Sequence, residues 1–129
     1  MHIEHQHQAA LIQWAHLTRL PDAADVEPGA TIGVYLLAIV NGGYCVSTTT
    51  GARLKAEGLK PGVSDLLLPL RRHGYGGLWL ELKAPGRKPT PEQAAWIARM
   101  RLAGYRAEWR QSWLAAAAVI ADYVGVTPP

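Results

Sequence analysis

Asp65, Glu81 and Lys83 are the residues of this chain whose types and spacing could do chemistry. Gly62-Val63-Ser64-Asp65 opens an apolar run, and Glu81-Leu82-Lys83 follows sixteen residues after the aspartate. Side chains alternate across a strand, so Glu81 and Lys83 point the same way as Trp79, while Asp65 shares a face with Leu67. A hairpin turning about Gly74 would set Asp65 opposite Lys83 and Leu67 opposite Glu81, with all three charged groups on one face. A slip of one residue would undo this. Two carboxylates and a lysine so placed suit Mg²⁺, a hard cation that takes oxygen ligands and often only one or two protein carboxylates beside phosphate. The ion would polarise a scissile phosphate and lower the pKa of a bound water, while Lys83 orients that water or offsets developing charge. The plainer alternative is an ion pair on an exposed hairpin, which is worth little. Here, however, the charges punctuate Leu66-Leu67-Leu68-Pro69-Leu70 and Leu78-Trp79-Leu80-Glu81-Leu82. Burying them there to no purpose would cost roughly several kcal/mol, which favours a metal site.

A further acid comes from the first element. Ile3, Ala10, Leu11, Trp14 and Leu17 recur at helical spacing without Gly or Pro, predicting an amphipathic helix over residues 3 to 18. Glu4, Gln8, Leu11 and Ala15 form one stripe of it, beside the Ile3, Ala10, Trp14 stripe. Glu4 therefore ends a partly core-facing row from which it could reach a metal, with Gln8 bonding to the cluster. Taken alone, a glutamate in the first helical turn is explained by the macrodipole. His2, His5, His7 and His16 lack the spacing and the cysteine support of a zinc site and read as solvated, those flanking Glu4 being able to touch phosphate when protonated.

The elements that must position these groups follow from pattern. Asp, Pro and Gly over 21 to 31 predict an exposed loop. Val34 to Val40 reads as a buried strand closed by Asn41-Gly42-Gly43, a turn or a point of close backbone approach. A short helix through Thr50, Ala52, Leu54, Lys55 and Glu57 stops at Gly58. Leu66 to Leu70 and Leu78 to Leu82 form a hairpin through Arg71-Arg72-His73-Gly74-Tyr75-Gly76-Gly77. Thr90-Pro91-Glu92-Gln93 is a helix start with a capping residue, proline at the first position and a capping-box glutamine, the helix running to Gly104. Tyr105 to Arg110 is a strand and Ser112 to Tyr123 an alanine-rich closing helix. Trp79, Trp96, Trp109 and Trp113 fall at apolar positions, where core packing explains them better than base stacking. The whole predicts an α/β domain with a mixed sheet flanked by helices.

Bulk properties set outer bounds. The chain has 129 residues, 49% of them apolar, which suits one domain over 1–129. Its net charge of +3 permits a polyanionic partner without requiring one. Cys45 is the single cysteine, so it can form no disulfide within the chain and reads as a small buried residue of a reducing compartment. With no basic-then-apolar leader and no apolar run near the roughly 18 residues of a membrane span, the expectation is a soluble cytoplasmic protein of a bacterial or phage-infected cell, with no membrane partner.

Taken together, Glu4-x-x-x-Gln8, Asn41-Gly42-Gly43, Gly58 through Asp65, Glu81-Leu82-Lys83 and Thr90-Pro91-Glu92-Gln93 resemble the VRR-NUC family, the virus-type replication-repair nucleases of the PD-(D/E)xK superfamily. The resemblance runs from Glu4 to about Val124. It implies a restriction-endonuclease-like fold with an αβββαβ core, and metal binding by Glu4, Asp65, Glu81 and the Leu82 carbonyl. Lys83 matches the catalytic lysine and Gln93 a recurrent family glutamine. Ser64 stands where the family commonly has proline, a difference in backbone stiffness rather than in ligands. Small stand-alone members resemble phage or prophage proteins, some of which act as dimers on four-way DNA junctions. The implied activity is therefore a Mg²⁺-dependent endonuclease, with Mn²⁺ as substitute, acting on branched DNA as a homodimer.

Basic residues flank the motifs in sequence: Arg53, Lys55 and Lys60 before Asp65, Arg71 and Arg72 on the hairpin, and Arg87 and Lys88 after Lys83. Phosphate contacts by such residues give salt-sensitive, sequence-tolerant binding, although each taken singly reads as a solvated charge. Two rival functions remain at this level. A non-catalytic DNA-binding module with the nuclease fold would have no need of Asp65, Glu81 and Lys83 together, and a restriction-like enzyme would cut linear DNA at discrete sites.

Overall fold

A four-stranded sheet, its strands side by side in the order they occur along the chain, carries the acidic residues at one end. The structure, a computed structural model, describes residues 2–40 and 48–129; the Asn41-Gly42-Gly43 turn and Cys45 lie outside them. In chain order the elements are α1 (His2–Leu17), α2 (Ile32–Tyr35), β1 (Leu37–Ala38), α3 (Thr48–Ala56), β2 (Leu66–Leu68), β3 (Leu78–Leu82), α4 (Pro91–Leu102), β4 (Arg106–Arg110) and α5 (Trp113–Val124). β1, β2 and β3 pair antiparallel, whereas β4 lies parallel to β3 because α4 carries the chain back across the sheet. This is the mixed sheet with flanking helices expected of a restriction-endonuclease-like fold.

The two faces of the sheet have separate tasks. Leu66, Leu68, Leu78, Leu80 and Leu82 are buried on one face, in a continuous core with Leu11 and Ala15 of α1 and Ala116, Ala117, Ile120 and Tyr123 of α5. The opposite face holds Leu67, Trp79 and Glu81 and is covered by α4, whose Trp96 meets Trp79 edge to face at 5.3 Å. Trp79 also packs on Tyr105, and Trp113 packs on the main core. Packing thus accounts for these indoles, as their apolar positions predicted.

Four expectations need correction. Val34 to Val40 is not a continuous strand: Ile32–Tyr35 forms a helical turn and only Leu37–Ala38 pairs with β2, leaving Val34 and Val40 exposed. The turn fits because Gly33 lies against the His16 ring, where an added Cβ would come within 2.3 Å, so tertiary packing overrides the β propensity of the run. In α1 the buried row is Leu11 and Ala15, the Glu4 stripe itself, while Ile3 and Leu17 are exposed. The β2–β3 register pairs Leu67 with Trp79 rather than Glu81, and the strand ends at Leu68, before Pro69. The turn instead bends through His73 and Gly74, both with positive φ. That two-residue shift preserves parity, so Asp65, opposite Glu81 on continuing the register, stays on the intended face. Finally, Ser112 is the N-cap of α5 rather than its first residue, accepting a hydrogen bond from the Ala115 N–H.

Gly62 joins the Asp65 loop to α4. Its φ is +83°, and a Cβ there would meet the Glu92 carbonyl group at 2.5 Å. Gly62→Ala therefore combines a left-handed backbone penalty with a backbone clash, and should lower stability by about 2 kcal/mol or more. Urea unfolding measures this, and a loss below about 0.5 kcal/mol would show that the two segments are not fixed to each other here.

Candidate active site

Asp65, Glu81 and Lys83 converge where β2 begins and β3 ends. The core leucines on the far face set the parity of β3, so Glu81 and Lys83 have no choice of direction. Glu81 is 2% exposed and Lys83 8%. Lys83 Nζ stands 3.6 Å from Glu81 Oε2, and the Lys83 backbone N–H donates to the Arg110 carbonyl at 2.8 Å. Asp65 is oriented across the strands by the Leu82 N–H, which donates to Oδ2 at 2.9 Å. Leu82 thus meets the acids through its backbone while its side chain lies in the core.

Gln93 is positioned by the start of its own helix. Its Oε1 accepts the Thr90 N–H at 2.9 Å, while the Thr90 hydroxyl accepts the Gln93 N–H, completing the capping box. With the amide oxygen so committed, Nε2 is the end left to donate to Glu81 Oε2, at 3.2 Å. One glutamine both caps α4 and holds the buried carboxylate.

The electrostatics are unfavourable to two charges. Burial, followed by the neighbouring Asp65 carboxylate, pushes Glu81 up from 4.5 to about 8. Burial likewise raises Asp65, against the lowering effect of the Leu82 N–H. Glu81 Oε1 is buried without a hydrogen-bond partner among the described residues. A proton shared with Asp65, or a cation, would satisfy it, and two desolvated carboxylates with a free buried oxygen are a donor set that suits a hard divalent ion. Glu4 stands beside the pair: its Oε2 accepts the Ala84 N–H at 3.2 Å, and its charge acts on Asp65. As they stand, no three His, Cys, Asp or Glu side chains among the described residues are grouped closely enough to hold a metal.

A family model of the VRR-NUC domain matches residues 2–113. The chain belongs to the VRR-NUC domain family. A solved structure described as "VRR_NUC domain protein" shares its fold, with a TM-score of 0.78 at 22% identity over 98% of this chain and 91% of that one. No curated protein matches the chain significantly. VRR-NUC domains are a nuclease family, and the acidic pair with its lysine lies within the matched span.

The other predicted residues are distributed unevenly around this VRR-NUC site. Gln8 is half-buried and lines an open depression on α1 with His5, Ala9 and Ile12. Lys60 precedes the Gly62 contact with α4, and Arg87 and Lys88 lie in the loop after Lys83, where the Arg87 carbonyl accepts from Gln111 Nε2. These three lie in the segments that lead into and out of the site residues, and all are exposed. Arg53 and Lys55 are exposed on the last turn of α3. Arg71 and Arg72 sit at the opposite end of β3, roughly 10 Å or more from Glu81. Arg72 is further committed to Asp25, at 2.8 and 3.1 Å, a pair that lowers the Asp25 pKa and ties the 21–31 loop to the hairpin. The expectation of a phosphate contact fits Arg72 poorly for that reason. Ser64 is buried with its hydroxyl unpartnered among the described residues, so at the family's proline position this chain encloses a polar atom. His7, read as solvated, instead accepts the Trp113 N–H, a long-range contact with no sequence signal.

The raised Glu81 pKa has a defined consequence for stability. Below pH 4.5 the group is protonated in both folded and unfolded chains; as pH rises toward 8 only the unfolded chain ionises freely, so folding loses stability over that window. In EDTA, Glu81→Gln should therefore melt about 5 °C or more above wild type at pH 8 and show little difference near pH 4.5. Scanning calorimetry at both pH values checks this, and an unchanged melting temperature at pH 8 would refute the strained carboxylate.

Proposed function

We propose that this chain is a Mg²⁺-dependent DNA endonuclease that cuts branched substrates such as four-way junctions. The observation that carries the reading is the buried Glu81, with one oxygen unpartnered and the other held by Gln93 and Lys83, beside a second desolvated carboxylate. A resting ion pair would have no use for such an arrangement, since burying like charges together costs several kcal/mol, roughly. Asp65 and Glu81 would hold the ion, with Glu4 and the Leu82 carbonyl completing the protein ligands. When bound, Mg²⁺ or Mn²⁺ supplies positive charge against the scissile phosphate and acidifies water.

The chain's own groups divide the remaining work. Gln93 and the Leu82 N–H fix the two carboxylates before substrate arrives. Lys83, nearly buried, places its ammonium where the attacking water or the developing phosphorane charge needs it. Lys60, Arg87 and Lys88 are the basic residues best situated to track phosphates toward the site. The branched substrate follows from the likeness to small stand-alone family members. Symmetrical cuts across a junction call for two sites, and therefore for a homodimer.

A non-catalytic DNA-binding module is the second reading, favoured by one observation: no three His, Cys, Asp or Glu side chains among the described residues are grouped closely enough to hold a metal. A cleavage panel of linear, flap, splayed and four-way DNA in Mg²⁺, Mn²⁺ and EDTA separates the two. We expect metal-dependent cuts concentrated on the junction, and a roughly 10²- to 10³-fold loss in Lys83→Ala with DNA binding retained. Full cleavage by Lys83→Ala would sink the mechanism. Equal cutting of linear duplex would remove the junction preference, discrete bands on it would indicate a restriction-like enzyme, and binding without cleavage in any metal would establish the binding module.

A further inference from the structure

His7 lies three residues after Glu4, half-buried, and its Nδ1 accepts the backbone N–H of Trp113 at 2.9 Å. Trp113 opens α5, and its N–H is one of those that no carbonyl of the same helix can accept. Ser112 Oγ serves the Ala115 N–H from within the chain segment. His7 adds an acceptor to that helix start from a different helix. An Nδ1 that accepts carries no proton, so the contact assigns the ring proton to Nε2.

The contact closes a ring of bonds that joins the start of α1 to the ends of β3 and β4 and the start of α5. Glu4 Oε2 accepts from Ala84, the preceding Lys83 donates its N–H to the Arg110 carbonyl, and three residues later Trp113 donates to His7. Residues three apart on a helix are neighbours on its surface, so His7 brings the ring back to Glu4. The first turn of a helix is where fraying concentrates, and a carboxylate placed there needs an external hold to keep its geometry.

We propose that His7 is a positioning residue: by docking on the Trp113 N–H it pins the start of α1 and keeps the Glu4 carboxylate at Ala84, beside Asp65 and Glu81. The use of that carboxylate in metal binding rests on the nuclease reading; the positioning itself does not.

The test pairs His7→Ala with His7→Asn, whose side-chain oxygen falls near the Nδ1 position and can accept the same N–H. His7→Ala should speed amide hydrogen exchange at Trp113 and also at Ala84. It should also raise the Mn²⁺ concentration for half-saturation by roughly 10-fold, with cleavage at saturating metal falling less. His7→Asn should recover most of both. If His7→Ala loses cooperative unfolding, His7→Leu removes the acceptor while keeping volume. Fast exchange at Trp113 with Ala84 exchange and metal half-saturation unchanged would overturn the proposal, as would failure of His7→Asn to recover either. A wild-type protein that cuts no DNA would count against the nuclease reading alone, because exchange at Ala84 reports on His7 with or without cleavage.

Discussion

Two carboxylates facing each other with too little water around them form the constraint to which the structure answers. Each ionised group at this depth would cost several kcal/mol, roughly, if unassisted. A hydrogen bond to a charged group returns about 1.5–3 kcal/mol. The Leu82 N–H, the Gln93 amide and the Lys83 ammonium are therefore of the right order to reduce the cost and not to remove it. The elevated proton affinity of Glu81 is that shortfall expressed as chemistry. A protein selected for stability alone would place leucine at this position, as it does at the neighbouring buried positions of the same strand.

What permits the shortfall is the opposite face. Five leucines of β2 and β3 lie in one core with α1 and α5, and this burial holds the strands in place whatever the charge state of the residues between them. α4 is attached separately, by the Trp79–Trp96 contact, the Gly62 approach and the Gln93–Glu81 hydrogen bond. The chain thus separates a stabilising layer from a chemical layer, with β3 serving both through strand alternation.

Local signals were legible and long-range ones were not. The Thr90–Gln93 capping box, the α4 and β4 spans and the common face of Asp65, Glu81 and Lys83 could be read directly, because each depends on neighbours in sequence or on strand parity. The register was displaced by two residues because His73 adopts positive φ, which a non-glycine residue does not advertise. The helical turn at Ile32–Tyr35 rests on the approach of His16 to Gly33, and the pairing of Arg72 depends on Asp25, 47 positions away. Gln93 shows the boundary well: its cap was plain in the sequence, whereas its second bond, to Glu81, needed the β3–α4 packing to become visible.

That second bond couples a helix terminus to an ionisation equilibrium. Because Thr90 occupies the oxygen of the Gln93 amide, only the nitrogen can face Glu81, and the ordered first turn of α4 offers the carboxylate form of its neighbour a donor without outweighing the burial that favours the proton. Fraying of that turn would free the amide to rotate and withdraw the donor, so local order in a helix end is transduced into proton affinity several ångströms away. The start of α4 is in this sense an acidity control for the sheet it covers.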